Sequence, residues 1–300
     1  MKITNLLLAA AVMLGFTSCL GGDSEQIETK TLYQVFNYVE EISTGKGEIV
    51  TGTSYEMELN YTKGILNLSI NGIQTSQSAP SYTVSISDIK YSFNEKGEML
   101  INVPRASNGV ITITDLKFKY RQRTINYSMS IPVFDITYTI NDAYKVRSIQ
   151  ESTFYFGDTK TSIIGSPQEF KTDKSYYCVT FAPSTRVDGK PQARLFMYDA
   201  KFAPKMPEMN LMVLELYADF SLDGYTITAP TAKVYTGTVQ NPKEEPDYAI
   251  TNLNLTGKFS TGVEFDYTAA GRFNSSAVCG YDFTEGVLSK SFITFAGRRG

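Results

Sequence analysis

The sequence predicts an all-β protein with two tandem antiparallel β-sandwich domains related by an internal duplication, with calycin-like barrels as the alternative architecture. Three observations support this prediction. Polar and apolar residues alternate along most of the chain, turn residues separate the alternating segments, and the second half repeats the order of the first. No stretch of twelve residues carries the periodicity of an amphipathic helix.

Alternating segments define the predicted strands. Residues 55–59, 65–70 and 110–116 place apolar side chains at every second position and are rich in β-branched and aromatic residues, which is typical of strands with one face on a core. The segments are separated by turn residues: Asn71-Gly72, Asn94 to Gly97, Asn108-Gly109, Asp188-Gly189 and Asp223-Gly224. Strands that recur every 8–14 residues with short turns favour sandwiches or barrels.

The two halves of the chain resemble each other. Residues 86–93 and 213–220 share one pattern, and each segment is followed by a turn glycine and then by a proline. Other matches keep the same order along the chain: Ser54-Tyr55 with Ser175-Tyr176, residues 113–116 with 250–253, and Asn126-Tyr127 with Asp266-Tyr267. These matches predict a duplication, with one β-domain at 30–148 and a second at 149–300.

The N-terminus has the pattern of an export signal. Lys2 supplies a positive charge, and residues 6–14 form an apolar run far shorter than the ~20 residues of a membrane-spanning helix. Small residues then precede a cysteine in Phe16-Thr17-Ser18-Cys19. This ending resembles the lipobox of bacterial lipoproteins, and its phenylalanine is similar to a variant found in Bacteroidales-type envelope lipoproteins. The resemblance implies that residues 1–18 are a cleaved signal peptide and that Cys19 is lipidated.

A polar segment follows the predicted lipidation site. Residues 19–29 contain glycine, serine and acidic residues without apolar periodicity, so they are expected to form a flexible tether. Asp23 and Glu25 resemble the acidic surface-export signals of the same bacterial group. The resemblance implies an outer-membrane lipoprotein, attached to the membrane through the lipid on Cys19, with the cell surface favoured over the periplasmic face.

Composition excludes several classes of function. The chain has no histidine, which removes Ser-His-Asp triads, Cys-His dyads and His-ligated metal sites. A net charge of −3 disfavours a nucleic-acid binder. Paired carboxylates could still serve a glycoside hydrolase, but the acidic residues are scattered at turns and on polar strand faces. We therefore expect no catalytic residues, no metal, no cofactor and no enzymatic activity.

Two cysteines in the second half could form a disulfide. Cys178 lies in a predicted strand and Cys279 lies near another, and export would place both in a compartment where disulfides persist. The alternative, which we favour, is two separate buried thiols that behave as small hydrophobic groups.

A cationic stripe is predicted on one strand. Four basic side chains alternate with Phe118, Tyr120 and Gln122, so that they share one strand face: Lys117, Lys119, Arg121 and Arg123. The stripe could bind an anionic glycan, a lipid phosphate or an acidic partner protein. The favoured interpretation is a solvated outer face that also protects an edge strand from pairing.

Tyrosine side chains are the remaining candidates for a binding site. The chain has 20 tyrosines and no tryptophan. Outward tyrosines could form a platform for sugars, or could be ordinary strand residues.

The sequence favours a lipid-anchored, non-catalytic binding, adhesion or scaffolding module for a glycan or an envelope protein. The alternatives are a carrier for an apolar ligand and a carboxylate-dependent glycoside hydrolase.

Overall fold

A computed structural model describes the chain from residue 27 to residue 299, except residues 126–128, 151, 164–168, 183–185, 187, 205, 260–261 and 274–285. All regular elements of the described residues are β-strands. No helix in this part of the chain is long and apolar enough to span a membrane. The all-β prediction is confirmed.

The chain divides into two compact units, Met1–Glu151 and Ser152–Gly300. The sequence placed the division between residues 148 and 149. The first unit contains β1 (Ile27–Glu41), β2 (Gly47–Asn60), β3 (Ile65–Ile73), β4 (Tyr82–Phe93), β5 (Met99–Ser107), β6 (Thr112–Ile125), β7 (Met129–Ile140) and β8 (Tyr144–Gln150). The second contains β9 (Ser152–Ile163), β10 (Glu169–Thr172), β11 (Tyr176–Ala182), β12 (Gln192–Ala200), β13 (Met209–Phe220), β14 (Gly224–Thr238), β15 (Asn241–Lys258), β16 (Gly262–Phe273) and β17 (Gly286–Arg299).

Both units close into antiparallel barrels. In the first unit, called barrel 1, each strand pairs with the next and β1 also pairs with β8, with Val39 opposite Val146. In the second unit, called barrel 2, β9 and β11–β17 form the ring, which closes where Thr161 of β9 lies opposite Ile293 of β17. The short strand β10 pairs with residues 159–162 of β9. These residues follow the part of β9 that pairs with β11.

Closure corrects the preferred architecture. The tandem β-domains are confirmed, but they are barrels, the alternative that the sequence left open, rather than sandwiches. Strand alternation is the same in a sandwich and in a barrel, because each buries one face of its strands. The difference is the pairing of the first strand with the last, which joins residues that are far apart in the sequence.

Side chains occupy the barrel interiors. In barrel 1 the strands β2, β3 and β4 each contribute fully buried side chains, among them Tyr55, Leu68 and Val84. In barrel 2, Tyr177 contacts the rings of Phe265 and Phe295 at centroid distances of 4.7 and 4.3 Å. The burial of these apolar side chains is the main source of stability for such domains.

A polar network lies inside barrel 1. The buried Asn37 side chain donates to Thr53 Oγ1 at 2.8 Å and accepts from Ser148 Oγ at 2.8 Å and from the Tyr55 hydroxyl at 3.2 Å. Tyr55 and Ser148 also share a hydrogen bond of 2.5 Å, and Thr53 donates to the Gly72 carbonyl at 3.0 Å. These contacts satisfy polar groups that would be costly to bury alone.

The two barrels bulge at corresponding places in β3 and β12. Each of these strands inserts one extra residue against the next strand, between Ile70 and Ile73 in β3 and between Met197 and Ala200 in β12. Both bulges hold a residue with a left-handed backbone. The two residues are Gly72 and Asp199, with φ angles of 75° and 49°.

A second bulge recurs in β6 and β15. The register of each strand against its successor shifts at Asp115 and at Asn252, and both residues have a φ of 52°. These residues occupy the same place in the matching segments 113–116 and 250–253. The shared strand order and the shared bulges are the structural result expected of an internal duplication.

The barrel registers refine the sequence matches. Tyr55 lies opposite Ile70 and Tyr177 lies opposite Met197, so Tyr177, and not Tyr176, is the counterpart of Tyr55. Both tyrosines are fully buried inside their barrels.

A second pair of tyrosines is also equivalent. Tyr138 in β7 lies opposite the bulge of β6, and Tyr267 in β16 lies opposite the equivalent bulge of β15, so the two tyrosines are counterparts. The sequence matched Tyr267 with Tyr127 instead, which lies outside the described residues. Burial, followed by the charge of a neighbouring tyrosine, raises the pKa of Tyr138 and of Tyr267 well above the usual value.

Candidate binding face on the second barrel

The cationic stripe lies partly within the described side chains. Lys117 and Lys119 point out of barrel 1, and the alternating Phe118 and Tyr120 are buried on the inside. Lys117 pairs with Asp115 at 3.0 Å, and Lys119 lies 3.6 Å from a carboxylate oxygen of Glu98. The two described cations are therefore partly neutralised by their neighbours.

The remaining stripe residues are placed by their backbone alone. Arg121 and Arg123 lie opposite Val133 and Ile131 on β7, and their side chains lie outside the described residues. The edge-protection interpretation fails at Lys117 and Lys119, because β6 there pairs with β5 on one side and with β7 on the other and has no free edge. Arg121 and Arg123 lie beyond the pairing with β5, where β6 pairs with β7 alone.

Cys178 is a free, buried thiol, so the structure does not contain a bond to Cys279, which lies outside the described residues. Burial raises the pKa of the Cys178 thiol to about 12. Cys19, the predicted lipidation site, also lies outside the described residues.

The Cys178 thiol is expected to resist labelling in the folded protein. At pH 8 the raised pKa lowers its thiolate fraction by roughly three orders of magnitude relative to a free cysteine. The measurement uses Ellman's reagent on residues 20–300 carrying Cys279→Ser, with Cys178→Ser as the blank. Slow labelling in buffer and one reactive thiol in concentrated guanidinium chloride are expected; rapid labelling in buffer would contradict the described burial.

A continuous row of aromatic and sulfur-containing side chains crosses the outside of barrel 2. These residues alternate with inward residues of the same strands, such as Tyr155, Tyr177 and Met197. We call this row the aromatic face and define it by Phe154, Phe156, Tyr176, Cys178, Phe196, Tyr198, Met212 and Leu214.

Three rings of the aromatic face stack across three strands. Tyr176 lies between Phe156 and Tyr198, at centroid distances of 5.5 and 4.7 Å and interplanar angles of 20° and 12°. Phe156 leaves 37% of its surface exposed. Because the rings are nearly parallel and follow the spacing of the strands, they cover each other's faces and turn their edges to solvent.

A small apolar cluster lies beside the stacked rings. Cys178, Phe196 and Met212 lie side by side on β11, β12 and β13 and are buried although they lie on the outside of the barrel. Tyr235 and Val239, from the end of the hairpin formed by β14 and β15, pack against this cluster. The aromatic face is thus a second apolar surface, separate from the barrel interior.

Barrel 1 carries polar residues at the equivalent outer positions. The registers align Tyr176 and Tyr198 with Ser54 and Asn71, since each pair lies directly opposite on corresponding strands. In the same alignment, barrel 1 has Glu56, Ser69 and Ser85 at the positions that Cys178, Phe196 and Met212 occupy in barrel 2. The barrel fold therefore does not require aromatic residues at these outer positions.

Burial raises the pKa of two phenol groups of the aromatic face. It raises the pKa of Tyr198 to about 12, with Cys178 and Tyr176 as further causes. The pKa of Tyr176 is also raised, first by burial and then by the charge of Asp199. At neutral pH both hydroxyls are hydrogen-bond donors as well as acceptors.

The sequence prediction missed this face as a specific site. Outward tyrosines were expected, but Tyr176 and Tyr198 are brought together only by the register of β11 and β12. The missed signal was the difference between the halves. In the sequence, the segment after residue 175 is aromatic where the segment after residue 53 is polar at alternate positions.

The described residues contain no group of three or more histidine, cysteine, aspartate or glutamate side chains that could hold a metal ion. Several of their carboxylates form ion pairs on outer surfaces, such as Asp135 with Arg147 at 2.6 Å and Asp219 with Lys190 at 2.6 Å. The site with distinctive surface chemistry in this part of the chain is the aromatic face.

Comparisons with known proteins give one structural similarity. No protein-family model matches the chain, and no curated protein matches it. The chain is similar to the crystal structure of the isotype 1 transferrin binding protein B from serogroup B Neisseria meningitidis, with 9% sequence identity and a TM-score of 0.20. The similarity covers 91% of this chain and 77% of that chain. At this TM-score it carries no argument about function.

Proposed function

We propose that this protein is a lipid-anchored, non-catalytic lipoprotein of the outer membrane that holds a partner protein on the aromatic face of barrel 2. The anchor is the acyl chain expected on Cys19, and the folded body is on the cell surface rather than on the periplasmic side. The observation that supports the binding role most strongly is the difference between two barrels of one architecture. One carries aromatic residues where the other carries serine, glutamate and asparagine.

The composition of the aromatic face favours a protein partner. Tyrosine, phenylalanine and methionine are enriched in the cores of protein interfaces. Charged residues of both signs continue the outer rows around it: Asp158, Lys160, Arg194 and Glu215. An apolar centre with a rim of mixed charge is the usual anatomy of a protein interface.

The ring geometry disfavours a glycan. A sugar ring stacks its C–H groups against the open face of an aromatic ring. In the stack of Phe156, Tyr176 and Tyr198, the faces of the central ring are covered by its neighbours. Ring edges and phenol groups remain for contact, and these suit apolar and hydrogen-bonding side chains of a protein.

The two other hypotheses receive less support. A carrier would need an apolar cavity, whereas inward side chains such as Tyr55 and Tyr177 occupy the barrel interiors. A hydrolase would need two carboxylates that share one open groove, and the described carboxylates that form ion pairs do so on separate outer surfaces. We therefore propose neither function.

Site-specific photocrosslinking in the host cell tests the proposal. A benzoylphenylalanine in place of Phe156 is expected to form one adduct of discrete mass with another protein. The matched control is the same probe at Ser69, on the outside of barrel 1, where no adduct is expected.

Each other outcome contradicts the proposal. Equal adducts from both positions, or none from position 156, would show that the aromatic face does not select a partner. An adduct of twice the chain mass would indicate self-association. Binding on a glycan array that disappears with Tyr176→Ser would assign the face to a sugar.

A further inference from the structure

We propose that the end of barrel 1 at which the chain enters the fold rests on the lipid surface and contacts its headgroup region with aromatic side chains. This inference rests on the proposed lipid anchor at Cys19 and goes beyond it, because an anchor alone does not orient the barrel. The surface, called the entry end, is defined by Ile27, Tyr61, Tyr91 and Phe93.

The strand order brings these residues to one end. β1 begins at Ile27, which lies opposite Asn60, and the turn after β2 continues with Tyr61. β4 runs back to the same end and finishes at Phe93. The entry end is therefore where the tether joins the barrel.

Three side chains of the entry end are exposed: Phe93 by 60%, Ile27 by 50% and Tyr61 by 40%. Tyr91 is half-buried against the core of barrel 1 and packs edge to face with Phe93, with ring centroids 5.7 Å apart. The Tyr61 hydroxyl donates to Glu28. Exposed apolar side chains that gather at one end of a barrel are typical of a contact surface.

Tyrosine and phenylalanine suit the interface of a bilayer. Aromatic side chains with a polar group settle at the level of the headgroups, where one end of the side chain is apolar and the other is hydrated. The opposite end of barrel 1 exposes the aliphatic residues Ile42 and Val110. The two ends of the barrel thus differ in the residue type that membrane interfaces favour.

The length of the tether keeps the entry end close to the lipid. Seven residues lie between Cys19 and Ile27, and the eight Cα–Cα steps from one to the other span at most about 28 Å when the chain is fully extended. The tether can therefore reach no further than about the length of one barrel strand. The opposite end of the barrel could face the membrane only if the tether were fully extended along the outside of the barrel.

The hairpin of β6 and β7 runs past the entry end. Tyr120 lies opposite Met99 at the start of β5, and β6 continues to Ile125, which pairs with Met129. This extension carries Arg121 and Arg123 of the predicted cationic stripe. Anionic headgroups attract basic residues that lie next to a membrane surface.

Two single-tryptophan variants test the inference, because the natural chain has no tryptophan. Phe93→Trp reports on the entry end, and Val110→Trp, in the turn between β5 and β6, is its matched control at the opposite end. The mature lipidated protein is reconstituted into vesicles of phosphatidylethanolamine and phosphatidylglycerol, with and without brominated acyl chains.

The Phe93→Trp emission is expected to shift to the blue and to fall roughly twofold or more with brominated lipid, because interfacial side chains sit about 5–10 Å into the headgroup and acyl boundary. The Val110→Trp emission is expected not to change. Equal quenching of both variants, or quenching of neither, would overturn the inference.

A second arm separates this inference from the lipid anchor. Each variant, as residues 19–300 with Cys279→Ser, is coupled through Cys19 to a maleimide lipid in the same vesicles. If the cellular protein lacks an acyl chain by mass spectrometry, the proposed anchor fails, and the coupled protein still decides whether the entry end contacts lipid. Quenching confined to Phe93→Trp supports the contact, and its absence overturns it.

Discussion

Replacing Tyr176 by serine and Tyr198 by asparagine is expected to weaken partner binding by roughly 30-fold or more, because central aromatic residues of an interface each contribute about 2 kcal/mol. These replacements give barrel 2 the residues that barrel 1 has at the equivalent positions. The readout is the yield of the adduct formed by the photocrosslinker at position 156.

The same double variant is expected to remain folded. Both tyrosines are half-buried on the outside of the barrel. The variant loses the stacked pairs of Tyr176 with Phe156 and with Tyr198, at a cost of about 0.5–1.5 kcal/mol for each pair. The matched control is Ser54→Ala with Asn71→Ala in barrel 1, which should leave the adduct unchanged. An undiminished adduct from a folded Tyr176→Ser/Tyr198→Asn variant would remove the binding role of the stack.

Tyr55→Ala is expected to lower the free energy of unfolding by about 3–5 kcal/mol, the range for removal of a large buried aromatic side chain. Tyr55 is fully buried inside barrel 1, and its hydroxyl joins Asn37 and Ser148 in one network. The substitution leaves a cavity and removes a partner from two buried polar groups.

Urea unfolding measures this loss and separates its two causes. Tyr55→Phe keeps the ring and removes the hydroxyl, so it should cost about 1–2 kcal/mol. Ser54→Ala, on the outward side of the same strand, should change the free energy of unfolding by less than about 0.5 kcal/mol. Equal effects of Tyr55→Ala and Ser54→Ala would mean that the barrel interior is not packed as described.

Local alternation allowed the strand faces to be predicted. In residues 55–59, the apolar Tyr55, Met57 and Leu59 point into barrel 1 and the two glutamates point outward. The stripe of Lys117 and Lys119 was placed on the outside for the same reason, because side chains alternate along any strand. The pairing of Lys117 with Asp115 depends on the bulge in β6, and the pairing of Lys119 with Glu98 depends on the register of β5 and β6. Alternation along one strand contains neither.

Closure and register could not be read from local patterns. The choice of a barrel over a sandwich depends on the contact of β1 with β8, a contact between the two ends of the unit. The alignment of the two halves also depends on strand register: the sequence matched Tyr55 with Tyr176, whereas the pairing of β11 with β12 makes Tyr177 the structural counterpart of Tyr55.

The shared strand order and the shared bulges make barrel 1 an internal reference for barrel 2. The buried tyrosines and the bulges at Asp115 and Asn252 recur in both barrels, as the fold requires. The aromatic face and the polar row of Ser69 and Ser85 do not match. Features that recur are therefore assigned to the fold, and the feature that differs is the one that we propose to bind a partner.

Hydroxyl-radical footprinting of Tyr176 and Tyr198, in intact cells and in the purified protein, tests the binding role of the aromatic face most directly. Tyr217, on the outside of the same barrel beside Arg186, is the reference tyrosine. We predict that Tyr176 and Tyr198 are oxidised in the purified protein and protected in cells, while the oxidation of Tyr217 is the same in both. Equal oxidation of Tyr176 and Tyr198 in cells and in the purified protein would contradict a partner on this face.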